Sequence, residues 1–188
     1  MTINSTRGDV IDVLVSDHRE VTALIDEIWE EQDPTARRDL TDTAISELVR
    51  HAVAEEMYVY PVVRKYIAGG EKAVEHDIEE HQELEQTMKR LEDMDVSSAE
   101  FESELRRLEM LLADHVQDEE AEQFPELRRQ VPQDELTELA GKVENAKRLA
   151  PTRPHPSAPN SELFHKLVGP GVGLVDRLRD AITKRANS

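Results

Sequence analysis

One eleven-residue pattern occurs twice in this chain, and it constrains the fold more than any other feature. Residues 51–61 read HAVAEEMYVYP and residues 115–125 read HVQDEEAEQFP. Each copy has a histidine, glutamates four and five residues on, an aromatic at nine and a proline at ten. Each then runs into a basic pair, Arg64 with Lys65 and Arg128 with Arg129. Two more histidines accompany the copies, His18 in DHREV and His81 in EHQEL. His18 precedes His51 by 33 residues and His81 precedes His115 by 34, so the chain reads as a duplicated pair of helices.

Apolar residues recur at helical spacing through four long segments. The first, 9–31, carries Ile11, Leu14, Val21, Ile25 and Ile28, with His18 in the same stripe. The second, about 35–68, carries Ala44, Leu48, His51, Glu55, Tyr58 and Val62; Pro34 suits its first turn. Pro61 is expected to kink it or end it a turn early, and Gly69 with Gly70 closes it. The third, about 71–94, carries Val74, Asp77, His81, Leu84, Met88 and Leu91. Ser97 and Ser98 cap the fourth, which runs to about 130 with Phe101, Leu105, Leu108, Leu112, His115 and Glu119. Every stripe is apolar at its ends and ionisable in its middle.

These four segments, joined by short connections, predict an all-α fold, an antiparallel four-helix bundle over residues 1–132. Residues 133–188 are expected to form a short extra helix (133–149), an extended Pro-rich linker (150–160) and a helical tail ending in 174–182, packed on the bundle or extending from it. With aromatics at 4%, the core is built mostly from Leu, Val, Ile and Ala. The net charge of −18 disfavours nucleic acid as a partner. Residues 142–188 carry nine Lys or Arg against four Asp or Glu, which leaves about −23 on the rest and makes the tail a candidate contact for a protein partner. The absence of cysteine excludes disulfides and thiolate metal sites and suits a reducing compartment. No signal pattern opens the chain and no apolar run has the length of a membrane span, so a cytoplasmic protein without membrane contact is expected.

In such a bundle His18, His51, His81, His115, Glu55 and Glu119 converge at one level of the core. Two buried carboxylates there need counter-charge. Histidine and glutamate at i and i+4 share a helix face, and together the six residues suit two first-row metal ions, with Mn, Fe or Zn all compatible. The remaining acidic residues, Glu56, Glu80, Glu83 and Glu120 among them, read as solvated or as supports behind the ligand residues. His155 and His165 lie in the linker and tail without a partner pattern.

Taken in order, DHREV, HAVAEEMYVYP, EEHQEL and HVQDEEAEQFP resemble the hemerythrin-like proteins, the group with the HHE cation-binding motif, over residues 9–131. The PTRPHP and GLVDRLRD segments resemble extensions of actinobacterial members. The resemblance implies a four-helix bundle holding two non-heme iron ions, oxo- or hydroxo-bridged, that bind O2 or a related small molecule. Carried over, His18 and His51 hold one iron, His81 and His115 the other, and Glu55 and Glu119 bridge them.

Two departures from the oxygen carriers stand out. Their third helix has HxxxH, where this chain has Asp77; His76 is one residue off the stripe, so Asp77 is the expected pocket residue. Their fourth-helix motif is HxxxxD, where this chain has HxxxE. Fewer imidazoles leave open coordination positions, which favours reactivity over reversible carriage. Tyr58, a turn beyond Glu55, is a candidate hydrogen-bond donor to the pocket. The leading expectation is binding of O2, peroxide or nitric oxide in oxidative or nitrosative stress defence, with catalase-like or NO-peroxidase-like activity. The alternatives are an O2, redox or iron sensor acting through a protein partner, and iron storage or handling.

Overall fold

The computed structural model describes residues 8–153, and within them all regular structure is helical. Helix α1 spans Val10–Glu30, α2 Pro34–Ala54, α3 Tyr60–Tyr66, α4 Gly70–Asp93, α5 Ala99–Asp118, α6 Phe124–Gln130 and α7 Gln133–Leu149. A π-helical turn, Glu55–Val59, joins α2 to α3, and a second, Glu119–Gln123, joins α5 to α6. Four rods result: α1, α2–α3, α4 and α5–α6. Connections of a few residues force each rod to run antiparallel to the one before it, and α7 then packs across α1 and α2. The expected linker beyond residue 153 and the expected helix at 174–182 lie outside the described residues.

Local chemistry sets the helix ends. Asp9 caps α1, accepting from the N–H groups of Ile11 and Asp12 at 3.0 and 3.1 Å, while Asp12 accepts from the Asp9 N–H at 2.9 Å. Asp33 caps α2 ahead of Pro34, and Ser98 Oγ accepts from Phe101 N–H at the start of α5. Between α3 and α4, Gly69 adopts φ 81°, and a Cβ at Gly70 would sit 2.3 Å from the Val63 carbonyl oxygen. Both glycines are therefore required by the turn.

Pro61 does not end the second rod, which runs on through it to Tyr66. Tyr60 N–H reaches back five residues to the Glu55 carbonyl, so the π turn takes up the disturbance one residue ahead of the ring. The second copy repeats this, with Phe124 N–H on the Glu119 carbonyl ahead of Pro125.

The core divides into two apolar clusters. One gathers Val21, Ile25, Ile28, Ala44, Leu48, Leu84, Leu91, Phe101 and Leu108. The other gathers Val10, Leu14, Val59, Val63, Val74 and Leu127, completed by Leu136, Leu139 and Val143 from α7. Between them lies a level occupied by buried His18, His51, Glu55, Asp77, His81, His115 and Glu119. Each fully buried Leu, Ile or Val contributes about 1.5–3 kcal/mol to folding, and this burial holds the polar layer in place. No described helix is long and apolar enough to cross a membrane.

Candidate metal centre

His18 on α1, His51 on α2, His81 on α4 and His115 on α5 send their Nε2 atoms to the middle of the bundle. They meet in two pairs, with Nε2 of His18 and His51 3.2 Å apart and Nε2 of His81 and His115 3.3 Å apart. Two carboxylates reach across the pairs. Glu55 Oε2 lies 3.1 Å from His51 Nε2, 3.5 Å from His81 Nε2 and 4.0 Å from His115 Nε2. Glu119 Oε2 lies 3.3 Å from His18 Nε2 and 3.6 Å from His115 Nε2. Two overlapping sets have ligand atoms close enough for a cation, one of His18, His51, His115 and Glu119 and one of Glu55, His81 and His115.

The opposite nitrogen of every ring faces a carboxylate. Nδ1 of His18 lies 2.8 Å from Glu120, of His51 3.3 Å from Asp17, of His81 3.4 Å from Glu56, and of His115 2.9 Å from Glu80. The duplication explains the pattern. Asp17 and Glu80 immediately precede the first histidine of each half, and Glu56 and Glu120 immediately follow the glutamate of each repeat. An ionised carboxylate only accepts, so Nδ1–H donates and the Nε2 lone pairs point inward. This is how histidines are oriented for a metal ion.

Three further observations show that the residues fit a cation. Paired Nε2 lone pairs at about 3 Å repel unless a proton or a metal ion lies between them. Both Oε atoms of Glu55, Oε2 of Glu119 and Oδ2 of Asp77 are buried without a hydrogen-bond donor. An unsatisfied buried oxygen costs about 1–3 kcal/mol, more when charged. Without a metal, protons must supply the counter-charge, and the titration of the cluster reflects this. Burial opposes a charge on His51, but Glu55 and Asp17 overcome it and lift the imidazole to about 10. His81 and His115 are likewise raised against burial by the surrounding carboxylates, and Glu55 is held well below the usual range by His51 and His81. Asp77 behaves differently: burial, reinforced by Glu119, pushes it up to about 7 although Gln123 donates to it at 2.7 Å.

His18, His51, Glu55, His81, His115 and Glu119 thus come together at one level, with Asp77 one turn before His81 on the same helix face. His76 is exposed and pairs instead with Glu80 and Asp118 at 3.4 and 3.5 Å. Tyr58 is half-buried and packs against the apolar cluster. The phenol at the centre belongs to Tyr60, whose hydroxyl lies 3.2 Å from His81 Nδ1 and whose ring stacks on that imidazole at 5.7 Å. Phe124, its counterpart in the second copy, stacks on His18 at 5.9 Å. An aromatic nine residues past the histidine would lie about 180° around an unbroken α-helix. Absorbing one residue in a π turn returns it by about 100°. The aromatic repeated at position nine was the signal for this, and the repeated proline was the signal for the turn.

A family model for the hemerythrin HHE cation binding domain matches residues 9–127. An uncharacterized hemerythrin-like protein of Schizosaccharomyces pombe is 30% identical over 176 residues, covering 93% of this chain and 87% of the yeast protein. A DNA nickase of Nostoc sp. is 27% identical over 139 residues, which is 74% of this chain but only 39% of the Nostoc protein. The crystal structure of a hemerythrin HHE cation binding domain-containing protein from Mycobacterium kansasii superposes with a TM-score of 0.66 at 23% identity, covering 76% of this chain and 86% of that one. That structure is similar in fold.

Proposed function

The chain belongs to the hemerythrin HHE cation binding domain family, and from that premise we propose that it is a non-heme diiron protein that binds O2, peroxide or nitric oxide. One observation carries the reading: two histidine pairs face each other across Glu55 and Glu119, and both Oε atoms of Glu55 and Oε2 of Glu119 are buried without a donor. In this reading His18 and His51 would hold one ion and His81 and His115 the other, with Glu55 and Glu119 supplying carboxylate oxygens between the pairs. Iron in such a site supplies redox chemistry toward small oxygen and nitrogen ligands.

The chain's own residues do the rest. Asp17, Glu56, Glu80 and Glu120 fix the four rings and raise their basicity. The two apolar clusters exclude water from either side. Burial and the surrounding carboxylates raise the Tyr60 phenol well above its usual value, so it stays protonated beside His81. Asp77, which changes charge near neutral pH, is suited to hold a proton beside the centre. These features favour turnover of peroxide or nitric oxide over reversible carriage, in stress defence in the cytoplasm. The net charge of −18 favours a small uncharged ligand over nucleic acid.

The test is the absorption spectrum and peroxide-decay rate of the iron-loaded full-length chain. The reading requires near-ultraviolet bands that respond to peroxide and disappear in His51→Ala and His115→Ala. Bands with no decay of peroxide or nitric oxide would favour a sensor, and iron without such bands would favour storage.

A further inference from the structure

The duplication makes the two halves of the centre equivalent in sequence, yet their outer carboxylates are balanced differently. Asp17 presents one oxygen to His51 Nδ1 at 3.3 Å and the other to Lys147 Nζ at 2.5 Å. Glu80, its counterpart, presents one oxygen to His115 Nδ1 at 2.9 Å and the other to His76 Nε2 at 3.4 Å. Lys147 belongs to α7, which lies outside the repeat, and its side chain is 19% exposed; that of His76 is 58% exposed. The cause is visible in the packing. At the places matching His76 and Asp118, the first half has Val13 and Ala54, both in the apolar cluster that α7 completes. Helix α7 therefore covers Asp17 and brings an ammonium to it, whereas Glu80 has only an exposed imidazole on its second oxygen.

We propose that Lys147 is a positioning residue that makes the two metal positions unequal, weakening the His18–His51 position relative to the His81–His115 position. The proposal rests on the two-metal reading above. A carboxylate behind a histidine strengthens that histidine as a ligand. An ammonium on the same carboxylate, shielded from water, draws that charge away. Glu80 faces only a solvent-screened imidazole and keeps its full effect on His115. An unequal pair fills in two steps, the His81–His115 position first.

The experiment is a cobalt(II) titration of the metal-free full-length chain, followed by visible absorption and calorimetry. Wild type should bind two ions in two steps at least about tenfold apart. Lys147→Met should tighten the weaker step about tenfold and leave the stronger within about twofold, and Lys147→Arg should restore the wild-type steps. If the Met variant does not fold, Asp17→Asn gives the complementary reading, weakening the weaker step alone. Steps that do not move in Lys147→Met, that move together, or a weaker step that weakens further, overturn the proposal. So does an Asp17→Asn variant whose stronger step is the one lost. Wild type that binds fewer than two cobalt ions overturns the two-metal reading itself, and this proposal with it.

Discussion

The Tyr60 hydroxyl lies 3.2 Å from Nδ1 of His81, although the two residues belong to different rods and Tyr60 is nine residues past the repeat histidine on its own. Without the π turn at Glu55–Val59 this contact would not form. Tyr60→Phe removes a buried hydrogen bond but keeps the stacked ring. It should lower the stability of the metal-free chain by about 1 kcal/mol. Tyr58→Phe should change it by less than about 0.5 kcal/mol. Urea denaturation of both variants distinguishes them.

Much of the centre was legible in the sequence, because duplication supplies an internal control. Six polar residues on apolar stripes, matched between two halves, point to a buried cluster from the sequence alone. Tyr60 is less legible, since periodicity extended straight through the π turn favours Tyr58. Pro61 and Pro125, at the same place in both copies, marked the turn. Asp17, Glu56, Glu80 and Glu120 were visible as acids beside the repeated motifs. On an acidic chain, however, their roles could not be separated from ordinary solvated charge without knowing which ring each one faces. Nothing in the sequence linked Lys147 to Asp17, because that contact depends on how α7 crosses α1.

The outer carboxylates give a second prediction. Glu80→Gln and Glu120→Gln each replace an ionised acceptor with an amide of the same shape. Each should lower metal affinity by about 10- to 100-fold without removing a ligand. Competition with a chelator of known affinity measures this. Glu83→Gln, on the exposed surface, is the control and should leave affinity unchanged.

Protonation of the metal-free chain gives a third. Asp77 has a folded value of about 7 against 3.8 unfolded, so the native state binds the extra proton between those values and stability falls as pH rises through that window. His51, raised from 6.5 to about 10, contributes stability that is complete below 6.5 and lost as pH rises through 10. The metal-free chain should therefore lose stability steadily from about pH 4 to pH 10. Asp77→Asn should remove the lower part of the decline and stabilise the chain at pH 8 by on the order of a few kcal/mol, with little effect at pH 4. Thermal melting across pH reads both windows.

Asp9 supplies a fourth, away from the centre. It caps α1 and meets Arg128 of α6 at 3.1 Å. Burial would raise its carboxyl, but Arg128, the Asp12 N–H and Gln133 hold it below 3.8. Its contribution is therefore present above 3.8 and lost as pH falls through the lower folded value. Asp9→Ala should cost about 1 kcal/mol at neutral pH, a fall in melting temperature of about 2–4 °C. The difference from wild type should shrink in acid.

The measurement that bears most directly on the centre is the iron content of the full-length chain after anaerobic loading with iron(II) and removal of excess. Two irons per chain are expected. His18→Ala and His81→Ala, which strike different pairs, should each lower the count. Fewer than one iron per chain in the folded wild-type protein, or a count that neither substitution changes, would contradict the account and leave the four histidines as a proton-balanced core.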